Sequence, residues 1–228
     1  MLNRVRLAIV GAAVLLAASP SRPLAAQAPR GYTPADSTRL DVQMIYASPW
    51  FNGDFFGPAR WLGQGESYTT LERAAAPAKG MEMVKYETAT GTRTVLIPAD
   101  KFIPARDTTP LTIEDYSWNG DQSKLLIFTN SRPVWRANTR GDFWILDLRT
   151  WELRKLGGPT AKESTLQFAK FSPDGTKVGY VRENDLYVED LATGRITRLT
   201  TDGSRTVING TFDWVYEEEL GLRDGWRW

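Results

Sequence analysis

Three consecutive carboxylates, Glu217, Glu218 and Glu219, sit among aromatic residues in the stretch TFDWVYEEELGLR, residues Thr211 to Arg223. Asp213 has the position of a helix N-cap, and negative charge in the turns that follow is favoured by the helix dipole. Successive helical residues are rotated by about 100°, so the three cannot share one face, but two adjacent glutamates can flank a common point. A carboxylate pair converging on one point is a receptor for an ammonium group. The plainer alternative is a solvated acidic face, with Glu219 pairing to Arg223 at i, i+4 for a few tenths of a kcal/mol.

Composition bounds the rest of the chemistry. The chain has 228 residues, 42% hydrophobic and 24% charged, which is globular composition sufficient for one or two domains. It holds no cysteine, which excludes disulfides, thiolate metal sites and a cysteine nucleophile. It also holds no histidine, so a Ser-His-Asp or Cys-His apparatus cannot be assembled from these residues. Formal charge is +1, and removal of a leader carrying Arg4, Arg6 and Arg22 leaves −2. That balance does not suggest nucleic acid, and no metal or cofactor is implied.

Such a leader is expected at residues 1–28. A basic start (MLNRVR), twelve apolar residues from Leu7 to Ala18 and a small-x-small site at Ala26-Gln27-Ala28 have the layout of a signal peptide. Twelve residues are too short to cross a bilayer core of about 30 Å, so no membrane anchor is expected. Export to the periplasm or exterior, in a bacterium, follows as the expectation. Residues 29–58 form a lead with a short amphipathic helix at Thr38 to Ala47, marked by Leu40, Met44 and Ala47, then an aromatic loop at Ser48 to Phe56.

The elements that must position the glutamates are repeats. Trp61, Trp118, Phe171 and Trp228 recur at intervals of 57, 53 and 57 residues, and after the first three comes a turn and a β-like run: SYTTLE, KLLIFT and KVGYVR. DFWILDL at Asp142 is echoed by DLYVEDL at Asp185, and Ala89-Thr90-Gly91 by Ala192-Thr193-Gly194. Periods of 40 to 60 residues with about four short strands each predict an all-β, partial β-propeller over 59–228, with blades at about 59–104, 112–158 and 165–210 and a fourth beginning at Trp226. A β-sandwich is the alternative architecture. Three blades do not close a ring, which predicts that the chain is the N-terminal part of a longer polypeptide.

The run DWVYEEE (213–219) and the run Pro133-Val134-Trp135-Arg136 resemble motifs of the dipeptidyl peptidase IV family of serine peptidases, in its N-terminal propeller domain. The resemblance implies that Glu218 and Glu219 hold the free N-terminus of a peptide substrate. It implies that Arg136 contacts the carbonyl of the substrate's second residue. It further implies an α/β-hydrolase domain beyond these residues that supplies the catalytic serine, aspartate and histidine, and allows a homodimer of the full-length protein. None of the catalytic residues is expected here, and the chain by itself is expected to be inactive. A non-catalytic exported propeller that serves as a binding module is the rival reading. One departure is Gly221, which is expected to end the helix early.

Overall fold

A computed structural model describes residues 40–47, 51 and 56–228. The expected leader at 1–28 and nearly all of the aromatic loop lie outside the described residues. The chain divides into two units, residues 1–55 and 56–228. In the first, helix α1 spans Val42–Ala47, and the Asp41 carboxylate accepts the Met44 N–H at 2.6 Å across its first turn. Met44 is buried, but Leu40 is exposed and precedes the helix, so the expected apolar stripe through Leu40 is corrected. The N-cap at Asp41 starts the helix after Leu40.

The second unit is a set of antiparallel sheets. Strands β1 (Ala59–Leu62), β2 (Ser67–Arg73), β3 (Met81–Glu87) and β4 (Arg93–Ile97) form one four-stranded sheet in sequential order. Strands β5 (Asp115–Trp118), β6 (Lys124–Pro133), β7 (Asn138–Asp147) and β8 (Leu153–Lys155) form a second meander. Strands β9 (Leu166–Phe171), β10 (Lys177–Arg182), β11 (Asp185–Asp190) and β12 (Ile196–Arg198) form a third. Each is a meander of four strands, as in a propeller blade, and the architecture is a partial β-propeller.

The repeated letters occupy equivalent places. Trp61 lies in β1, while Trp118 and Phe171 end β5 and β9, so all three belong to first strands; the DFWILDL and DLYVEDL echoes run along β7 and β11. The turns repeat too. Asp121 Oδ1 accepts from the Ser123 backbone N–H and hydroxyl, and Asp174 Oδ1 does the same with Thr176. The Ser123 donors for Asp121, and the Ser172 hydroxyl with the Thr176 donors for Asp174, hold both carboxyl groups at a pKa of about 2.

Strand β6 shows how the blades stack. Its residues Leu125 and Ile127 join Leu71, Met83 and Tyr116 in one core, while Leu126 joins Val178, Tyr180 and Tyr187 in another. A strand alternates its side chains, so a run buried on both faces is what a middle blade requires. Polar links reinforce the stack: Trp118 Nε1 donates to Thr69 Oγ1 at 3.0 Å, and Tyr116 donates to the Thr69 carbonyl at 2.6 Å.

Strands β6 and β7 are ten residues each and extend beyond their neighbours. The far end of β7 pairs with β9 at Arg140↔Gln167 and Gly141↔Leu166, which joins the second and third sheets. Helix α2 (Trp214–Leu220) follows the third sheet, and residues 225–228 add no further strand. Instead Trp226 and Trp228 lie on Gly179 of β10, where a Cβ would meet the Trp226 ring at 2.6 Å.

Candidate functional site

Helix α2 has seven residues, too few to persist on its own hydrogen bonds. Capping defines both ends. The Asp213 carboxylate accepts the Tyr216 N–H at 3.1 Å, and Gly221 ends the helix with φ 65° and ψ 16°, its N–H reaching the Glu217 carbonyl at 3.1 Å. The surrounding chain closes on itself. Gly225 N–H donates to the Gly210 carbonyl, Phe212 N–H donates to the Arg223 carbonyl, both at 3.1 Å, and Thr211 bridges Asp224.

The base of this closed segment is tied to β9. Lys170 Nζ donates to Asp224 Oδ1 at 2.6 Å and to the Trp226 carbonyl at 3.0 Å, and stands 3.8 Å from the centre of the Trp226 ring. Burial pushes the Lys170 ammonium below the ordinary lysine range, partly offset by the Asp224 carboxylate.

The three glutamates point differently, as a 100° rotation requires. Glu217 is buried, and its Oε1 accepts from Arg223 Nε at 3.1 Å. Sequence spacing offered Glu219 as the partner of Arg223; the ion pair is made by Glu217 instead, because the chain turns back after Gly221 and brings Arg223 under the inner face. Glu218 has an 18% exposed side chain, and Glu219 is exposed.

Arg136 lies at the tip of the β6–β7 hairpin, with a largely exposed side chain. Its Nε stands 2.5 Å from Glu218 Oε1, although the two residues are far apart in sequence. That oxygen is buried yet accepts no aligned hydrogen bond among the described residues. The contact is an ion pair of charge and proximity, without an N–H aligned on that oxygen. The tip residues Val134 and Trp135, with Phe168, Phe212, Glu217 and Arg223, also line a cavity of about 70 Å³. A larger cavity of about 380 Å³, lined by Phe128, Asn138, Thr139, Phe168 and Lys170 among others, shares Thr139 and Phe168 with it.

Structure thus brings together Arg136 and Glu218, two of the three residues named from sequence, and leaves Glu219 facing solvent. The pairing of the buried Glu217 with the exposed Arg223 escaped sequence reasoning. Its only signal was that one of three neighbouring helical residues had to turn inward. Among the described residues no group of three potential ligands is placed to hold a metal ion. No described helix is long and apolar enough to cross a membrane.

Stacked four-stranded antiparallel sheets with a charged helix tied to a hairpin tip define a segment of a β-propeller. Residues 119–228 match the family model for the dipeptidyl peptidase IV (DPP IV) N-terminal region, and that part of the chain belongs to this family. Probable dipeptidyl-aminopeptidase B of Aspergillus clavatus is 33% identical over 111 residues, 48% of this chain and 12% of the relative. Probable dipeptidyl peptidase 4 of Aspergillus flavus is 30% identical over 161 residues, 71% of this chain and 19% of the relative. The crystal structure of Porphyromonas gingivalis dipeptidyl peptidase 4 matches with a TM-score of 0.62 at 27% identity, covering 73% of this chain and 22% of that one. The chain therefore spans less than a fifth of the length of these curated relatives.

Proposed function

We propose that this chain is the substrate-recognition part of an exported serine exopeptidase that releases dipeptides. Glu218 and Glu219 hold the ammonium of the peptide, Arg136 holds the carbonyl of its second residue, and an α/β-hydrolase domain of the same polypeptide carries out acylation. The observation that carries the reading is the meeting of Arg136 with Glu218, whose buried Oε1 has no aligned donor. An ammonium supplies three donors and suits such an acceptor.

The geometry would then set the reaction. Two extended residues span at most about 7 Å, so a nucleophile fixed at that distance from the carboxylates reaches only the bond after the second residue. Amine recognition becomes a ruler, and the propeller contributes positioning while bond breaking occurs elsewhere. Arg136 and the incoming ammonium share one carboxylate, so binding requires the Arg136 guanidinium to swing from Glu218 toward the substrate carbonyl.

The test is titration of the chain by calorimetry with a dipeptide amide bearing a free N-terminus and with its N-acetylated form. Binding of the first and refusal of the second is expected. Equal affinity for both would overturn the amine clamp and favour a binding module with another ligand.

A further inference from the structure

The Glu217–Arg223 ion pair has no part in the proposed contacts, yet Glu217 adjoins Glu218 on the same short helix. Glu217 has a side chain only 4% exposed, and Arg223 Nε is 3.1 Å from its Oε1. A helix in a soluble protein ordinarily takes its rotation from an apolar stripe that seeks the core. Helix α2 does the reverse. Trp214, Val215 and Leu220 are 48%, 54% and 62% exposed, while a carboxylate faces inward. Apart from the stacking of Tyr216 on Phe212 at 5.0 Å, apolar packing among the described residues gives this helix little rotational preference.

We infer that Glu217 is a positioning residue, whose ion pair with Arg223 fixes the rotation of helix α2 and thereby where Glu218 and Glu219 point. The inference rests on the amine-clamp reading above. One residue of helical slippage is about 100°, enough to exchange the places of Glu217 and Glu218. A buried carboxylate needs a charged, hydrogen-bonding partner, and among the described residues Arg223 supplies it. Arg223 is itself placed by the returning chain, because its carbonyl accepts the Phe212 N–H and the neighbouring Asp224 is held by Lys170. Glu217 does not serve as the ammonium acceptor. Its charge is matched by Arg223, and the adjoining cavity of about 70 Å³ is far below the roughly 300 Å³ at which ligand pockets begin.

The sign of one substitution separates positioning from direct electrostatics. Removing a cation near an ammonium site strengthens ammonium binding by Coulomb's law. Positioning requires the opposite. In the titration with the free dipeptide amide, Arg223→Gln is expected to weaken binding about tenfold or more, and Arg223→Lys to stay within about threefold of the parent. Amide hydrogen exchange at Gly221 and Leu222, whose N–H groups donate to the Glu217 and Tyr216 carbonyls, is expected to accelerate in Arg223→Gln.

Unchanged or tighter binding by Arg223→Gln overturns the inference. Weaker binding with unaltered exchange at Gly221 and Leu222 overturns it too, since the effect would not pass through the helix. If Arg223→Gln does not fold, the double variant Glu217→Gln, Arg223→Gln leaves no buried charge unmatched and keeps the local net charge. Positioning predicts weaker binding by it, and unchanged binding overturns the proposal. Glu218→Gln tells the two readings apart. If it weakens binding and the Arg223 variants do not, only the positioning role falls; if it has no effect, or the parent chain does not bind, the amine clamp falls and takes this role with it.

Discussion

Glu218 is the residue on which the functional reading turns, because its buried Oε1 has a cation beside it and no aligned donor. A hydrogen bond to a charged group is worth about 1.5 to 3 kcal/mol, and one decade in rate is about 1.4 kcal/mol. Under the proposed function, in a polypeptide that also carries the hydrolase domain, Glu218→Ala and Glu219→Ala are each expected to lower kcat/KM at least about tenfold on free dipeptide substrates; steady-state kinetics showing no change for both would remove the clamp. The turn carboxylates offer a prediction of stability. Asp174, held at a pKa of about 2 by Ser172 and Thr176, is depressed below the unfolded value near 3.9. Its contribution is present above about pH 4 and is lost as pH falls toward 2. Urea denaturation of Asp174→Ala should therefore show a deficit at pH 7 that shrinks between pH 4 and pH 2.5; a deficit independent of pH would mean that the carboxylate charge is irrelevant.

At the scale of the element, the sequence marked the limits of α2 better than its orientation. Asp213 and Gly221 are local signals, since a cap and an αL residue depend on a few neighbouring atoms. Open space surrounds the position a Gly221 side chain would take, so the penalty of Gly221→Ala is backbone strain alone, about 1–2 kcal/mol. Denaturant titration should register that loss, with faster exchange at Leu222 N–H; an unchanged midpoint would show that the C-cap does not limit the segment. Which glutamate turns inward could not be read in the same way. It depends on Arg223 returning beneath the helix, and on a hairpin tip from β6 and β7 reaching Glu218.

For the whole molecule, the blades are held by cores that face each way from β6 and by a few buried charges between sheets. Glu189 of β11 has a side chain 1% exposed, pairs with Arg154 of β8 and accepts the Gly157 N–H at 2.9 Å. Arg154→Ala strands this carboxylate, and a loss of about 3–5 kcal/mol is expected in chemical denaturation; a loss below about 1 kcal/mol would show that the pair is not a strut between the second and third sheets. The sequence by itself determined that the fold is built from repeats, because Trp61, Trp118 and Phe171 mark first strands and the DFWILDL and DLYVEDL echoes mark third strands. Such periodicities are written in neighbouring residues. It also carried the family likeness in DWVYEEE. Only the tertiary structure decided that Glu217 faces Arg223, that Glu218 meets Arg136, and that Leu125 and Leu126 serve different cores. Arg136 and Glu218 belong to segments distant in sequence, the Glu217–Arg223 pair depends on how the chain turns back after Gly221, and which neighbouring sheet each face of β6 meets depends on how the sheets stack, none of which local spacing encodes.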